Sequence, residues 1–148
     1  MAHYLQQETG EFQLLSSVDF STSLQSQTAF LSSDTTSTST SVYPAGPTVT
    51  LGSTGTWLVS GTVTYTDSAA TRNVGCAITD GTVIYASATG SVGANDWQAT
   101  ALSAIIVSTS ASIYISAIPL TPVTTFKMAA NKSGGGMDTS ITAVRLVG

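Results

Sequence analysis

The chain has 148 residues, 42% of them hydrophobic and only 8% charged, with a net charge of −4. That is enough for one domain with a sizeable core, and a mean hydropathy of +0.27 excludes the disordered class, which needs low hydrophobicity and high net charge. Four scattered bases, Arg72, Lys127, Lys132 and Arg145, exclude a nucleic-acid face, which needs clustered Lys and Arg.

Serine and threonine make up roughly a third of the chain, well above ordinary usage. Apolar burial with hydroxyl solvation leaves few charges to resist association. Such a surface suits a protein covered by partners or by copies of itself. No apolar run approaches the ~20 residues of a membrane span, so no membrane partner is expected. The start MAHYLQQETGEF has neither a basic n-region nor an apolar h-region, so synthesis in a cytoplasm without a signal peptide is expected.

Residues 1–20 fit neither a helical nor a strand period. Tyr4, Leu5, Phe12, Leu14, Leu15 and Phe20 are spaced apolar positions among Gln, Glu and Ser, and are candidates for docking on a neighbour. Leu24 to Leu31 reads as one strand anchored by Leu24 and Phe30. The run SSDTTSTSTS, Ser32 to Ser41, is a tether or an edge strand, since threonine permits extended backbone. Pro44, Gly46 and Pro47 then punctuate the chain. The division expected is an arm with linker or edge strand over residues 1–47, and a β domain over 48–148.

Within that domain Thr48 to Leu51 is a short strand. Thr56 to Thr66 alternates clearly: Trp57, Val59, Gly61, Val63 and Tyr65 on one face, and hydroxyl residues on the other, interrupted only by Leu58. Asp67 to Ala70 is a loop and Thr71 to Thr79 a strand. Asp80-Gly81 predicts a type I′ hairpin turn, with positive φ at both residues, leading into a strand over Thr82 to Ala88. Gly90 to Asp96 reads as a loop. Trp97 to Ser108 and Ser112 to Ile118 are strands about a tight turn. Pro119 to Pro122 is excluded from a sheet interior. Thr124 to Ala130 is a strand, Asn131 to Gly136 a glycine-rich loop, and Asp138 to Val147 the closing strand. Many short strands with regular turn signals and no helix mean an antiparallel sandwich or barrel.

Catalytic chemistry is sparse. His3 is the only histidine and stands near the terminus, without the positioned partners a triad needs. No two carboxylates of the β domain lie close in sequence as a glycosidase pair would suggest. Asp67, Asp80, Asp96 and Asp138 stand at turns or strand starts, where aspartate commonly accepts from local backbone N–H groups. A calcium site between loops is the alternative for them. Cys76 is the only cysteine and reads as a small buried hydrophobe. No enzyme activity, metal or cofactor is expected. Trp57 belongs to the apolar face and the core. Trp97, after the loop GSVGAND, and Tyr43, before the prolines, are candidate platforms for a glycan.

The segments GTWLVSGTVTYTD (Gly55 to Asp67), DGTVIYASA, LSAIIVSTSASIYISA (Leu102 to Ala117) and DTSITAVRLVG (Asp138 to Gly148) resemble small bacteriophage virion proteins. Those are similar to trimeric jelly rolls of the TNF/C1q-like type, found in head-decoration proteins and at fibre tips. The resemblance covers about the last hundred residues. It implies an antiparallel jelly-roll sandwich with an extended N-terminal arm, assembled as a homotrimer. Few charges and open strand edges favour the same symmetric burial. The expected role is a capsid decoration (cement) protein on the phage head surface, held to the major capsid protein by its arm. The alternative is a head- or tail-fibre tip that binds host polysaccharide.

Overall fold

A computed structural model of the protein describes residues 4–6, 12–14, 25–52, 54–108, 111–130 and 138–147. They form strands and no helix: β1 (Tyr4–Gln6), β2 (Phe12–Leu14), β3 (Ser26–Phe30), β4 (Thr35–Thr36), β5 (Thr48–Leu51), β6 (Gly55–Asp67), β7 (Arg72–Thr79), β8 (Ile84–Val92), β9 (Trp97–Ser108), β10 (Ala111–Pro119), β11 (Phe126–Met128) and β12 (Ser140–Val147). β5, β10, β7 and β8 make one sheet in that order; β3, β12, β6, β11 and β4 make the larger one, with β9 also paired to β6. All these pairings are antiparallel. β12 and β11 share one flank of β6, so β9, in register from Gly55 to Thr66, takes the other.

The two sheets stack through the residues that alternate inward. Trp57, Val59, Val63 and Tyr65 of β6 meet Val74, Cys76 and Ile78 of β7 and Ile113 and Ile115 of β10 in one buried core. Trp57 is 1% exposed, and removing a side chain of that size from a packed core costs about 3–5 kcal/mol. β7 is buried on both faces. Its outer face is covered by Tyr43, whose hydroxyl reaches Gly75, and by Leu120. Ser116 Oγ donates to Pro44 O at 2.6 Å, holding the lead-in to β5 alongside β10.

On the β6 flank, β12 pairs as far as Thr62 and β11 begins at Tyr65. Thr64 lies between them. Its N–H donates to Thr139 Oγ1 at 3.0 Å, and its carbonyl accepts from Ala129 N at 2.8 Å. A side-chain hydroxyl therefore supplies the missing ladder partner. At the sandwich edge, Gln27 Oε1 of β3 accepts the Thr50 N–H of β5 at 3.0 Å.

Several expectations change. Strands of the larger sheet also come from before residue 48: β3 pairs with β12, and β4, within the Ser32 to Ser41 run read as a tether or an edge strand, pairs with β11 at the sheet edge. Short hydroxyl-rich segments suffice there because backbone pairing, rather than a buried side-chain face, holds an edge strand. Phe30 does not anchor β3; it is 62% exposed, while Ala29 and Leu31 pack toward the core.

The connection after β7 is not a type I′ turn. Asp80 has no positive φ, and only Gly81 does, at 93°. Four residues separate the paired Thr79 and Ile84, and Asp80 Oδ1 accepts from Thr82 N at 2.8 Å and Val83 N at 2.7 Å. β8 runs on through Gly90 to Val92, so that loop shortens to residues 93–96. β9 and β10 do not pair with each other; the chain crosses between sheets there. Pro119 ends β10 opposite Val74. Leu120 N donates toward β7, to Asn73 O, so by alternation the proline nitrogen faces the flank beyond the end of β5 and needs no partner. The loop Asn131 to Gly136, Leu24 and His3 lie outside the described residues.

Candidate functional site

The outer face of the larger sheet is the first candidate surface. Its residues follow from register. Leu58 lies between Val144 of β12 and Ile105 of β9, Ser60 between Thr142 and Ser103, and Thr62 between Ser140 and Ala101. Thr56 stands beside Val107. β3 adds Thr28 opposite Thr142 and Phe30 opposite Ser140. None of these positions is charged.

A solvated sheet face ordinarily carries polar and charged residues against an apolar inner face. Here Ile105 is 68% and Val107 79% exposed, with Leu58 and Leu146 also open. The hydroxyls between them bond partly to each other, as Thr28 and Thr142 do at 2.9 Å. A shallow groove of about 460 Å³ runs between Ser60, Thr62, Ala101, Ser103, Ser140 and Thr142. In the sequence Leu58 stands only as an interruption of the hydroxyl face. Together with the Ile-Ile-Val run of β9, that interruption was the available signal.

At the other end of the same face, Trp97 of β9, Thr66 of β6 and Lys127 of β11 stand side by side in register. Trp97 is half-buried. The loop before it is held from beneath: Asn95 N donates to Asp67 O at 2.8 Å, Thr66 Oγ1 to Asp96 O at 2.6 Å, and Trp97 N to Asp96 Oδ1 at 2.8 Å. Asn95 is the only non-glycine with positive φ among the described residues, at 58°.

Asp67 supports this region. Its carboxylate is fully buried. Oδ1 accepts from Ala69 N at 2.8 Å, Ala70 N at 3.2 Å and Thr125 Oγ1 at 2.9 Å, and Oδ2 pairs with Arg72 Nε at 3.3 Å. Burial pushes its pKa up, but the Ala69 N–H, the Thr125 hydroxyl, the Ala70 N–H and Arg72 together outweigh it and hold the group below its ordinary value. Asp80 is held low by the N–H of Val83, the Tyr85 hydroxyl and the N–H of Thr82. Each of these carboxylates, like Asp96, thus satisfies local backbone donors. Among the described residues no group of three or more His, Cys, Asp or Glu comes together to hold a metal.

The other candidates fall elsewhere. In the β1–β2 hairpin Tyr4 stands opposite Leu14, Leu5 opposite Gln13 and Phe12 opposite Gln6. The hairpin is a sheet of its own. Leu15 and Phe20 lie outside the described residues. Tyr43 lies over Gly75 on the opposite sheet and is not brought to Trp97. Its pKa is raised, chiefly by burial. Trp57 is in the core.

This arrangement has counterparts among solved structures. A TNF named Eiger from S. frugiperda superimposes with a TM-score of 0.56 at 11% identity, over 83% of this chain and 92% of that one. Murine APRIL superimposes with a TM-score of 0.50 at 12% identity, over 82% of this chain and 98% of that one. The fold is therefore an antiparallel jelly roll of the TNF-like type. No protein-family model matches the sequence, and neither does any curated protein.

Proposed function

We propose that the chain is a non-catalytic structural module of a bacteriophage virion: a decoration protein that forms a homotrimer and is fastened to the major capsid protein by its N-terminal residues. The observation that carries self-association is the uncharged outer face of β3, β12, β6 and β9, with Leu58, Ile105 and Val107 open on it. Burying such a face against copies of itself removes apolar area from water, at roughly 25 cal/mol per Å², and a closed ring leaves none exposed. The phage setting rests on the resemblance of the strand sequences to virion jelly rolls. The fastening role rests on the β1–β2 hairpin. A lone two-stranded hairpin is at best marginally stable in water, so one that carries Tyr4, Leu5, Phe12 and Leu14 calls for a partner surface.

Light scattering after gel filtration tests the first part. The wild-type chain should run at three times its 15.1 kDa mass, and a Leu58→Lys, Ile105→Glu double variant should run as a folded monomer. A wild-type monomer at micromolar concentration overturns the trimer. Deleting residues 2–20 should leave the trimer and abolish binding to heads, because β3 begins at Ser26. Full occupancy of heads by the truncated protein overturns the fastening role.

A further inference from the structure

We propose that the Trp97 end of the larger sheet is a second, separate site: a cleft that takes a single pyranose ring of a glycan, stacked on the Trp97 indole. The cleft measures about 230 Å³. Pockets for drug-sized ligands begin at roughly 300 Å³, so this one suits one ring with its neighbours left in solvent. Asp34, Ser68, Asn95, Trp97, Thr125 and Lys127 line it.

The mixture selects the ligand class. A phosphate or sulfate would meet the Asp34 carboxylate as well as the Lys127 ammonium. An apolar ligand would strand the hydroxyls, amide and charges on every side of it. A pyranose has what remains: a face of C–H groups for an aromatic ring, and a rim of hydroxyls that both donate and accept. The carboxylate of Asp34 accepts from such hydroxyls, Lys127 and the Asn95 amide donate, and Thr125 retains lone pairs while its proton goes to Asp67.

The cleft is also set before any ligand arrives. Asp34 is oriented by the Ala130 N–H at 3.0 Å. Lys127 makes no ion pair among the described residues. Asn95 holds a left-handed backbone, which asparagine tolerates better than most residues, fixed by the hydrogen bonds of its loop to Asp67 and Thr66. The loop backbone is thus tied down in the free protein, which lowers the entropic cost of binding. Thr66 is eight residues along β6 from Leu58, about 27 Å at the rise of an extended strand. The cleft therefore lies apart from the apolar end of the face and does not depend on the virion reading.

The test is an NMR titration of the full chain with methyl glycosides of glucose, galactose, mannose, rhamnose and N-acetylglucosamine, following both indole N–H resonances. At least one glycoside should shift Trp97 saturably while the core Trp57 stays fixed. Followed at the Asn95 backbone amide, Trp97→Ala should weaken binding about tenfold or more and Trp97→Phe should retain most of it. The unmoved Trp57 resonance reports that each variant is folded. The proposal is overturned if no glycoside moves Trp97 at about 50 mM, far above a millimolar dissociation constant. It is equally overturned if binding survives Trp97→Ala unchanged.

Discussion

The hydroxyl of Tyr65 occupies the space that a side chain at position 90 would need. It shares a hydrogen bond with Thr100 Oγ1 at 2.9 Å, so it is held in place. Glycine in a strand normally weakens it, yet here glycine lets β8 close over the end of β6. Gly90→Ala should therefore destabilise the protein, by about 1–3 kcal/mol as overpacking usually does, instead of gaining from a stiffer unfolded chain. Adding Tyr65→Phe should recover part of the loss. Urea denaturation of the two variants decides it; a neutral or stabilising Gly90→Ala contradicts the packing described.

Thr139 stands in for a strand neighbour at Thr64. Thr139→Val keeps the shape and removes the hydroxyl, leaving the buried Thr64 N–H without an acceptor. The expected loss is about 1–3 kcal/mol. Thr139→Ser should keep most of the stability. Equal melting temperatures for the Val and Ser variants would show that the hydrogen bond is not what matters there.

The pH dependence should centre on Asp67. Its folded pKa lies below the ordinary 3.8, so the unfolded state binds the proton first as pH falls. The stability it contributes is complete above its unfolded value and is lost as pH drops from there through the folded value. Asp80, also held low, adds to the same window. Asp67→Asn should flatten the fall in stability as pH drops below about 4. An acid transition of unchanged steepness in that variant would assign acid sensitivity elsewhere.

Cys76 is fully buried, and desolvation pushes its thiol up to about 11. At pH 8 only about a thousandth of it is thiolate, and that fraction is screened from reagent. Labelling with a disulfide reagent should therefore proceed no faster than unfolding, and should become rapid in denaturant. Labelling of the native protein within seconds would rule out this burial.

The strands that were plain in the sequence are those with one wet face. β6 and β12 alternate because one side meets the core and the other does not. β7 does not alternate, because Tyr43 and Leu120, distant in sequence, bury its second face. Gly90 looked like punctuation because the pattern cannot show a hydroxyl arriving from another strand. The Asp80-Gly81 pair marked a turn correctly but not its type, since the Asp80 side chain takes over the N–H groups that a tighter turn would leave differently placed.

The candidate surfaces were less legible, for a related reason. Trp97 stood out singly, but its neighbours Thr66 and Lys127 come from separate strands, and only register sets them beside it. Leu58 and Ile105 each break a hydroxyl-rich or small-residue strand, but only pairing places them together. β3 and the edge strand β4 were placed with the arm because nothing in SQTAF or TT names the strand that each pairs with.

A chain with so few ionic groups cannot keep strangers off its strand edges with lysines, the usual guard against runaway pairing. The Gln27 amide placed on the Thr50 N–H does that work differently. It occupies a donor that an incoming strand would need, using a neutral group drawn from the opposite sheet. At β5 amyloid-like growth thus finds that donor already taken. Losing that amide, as in Gln27→Ala, should show first as aggregation during storage, before any large drop in melting temperature.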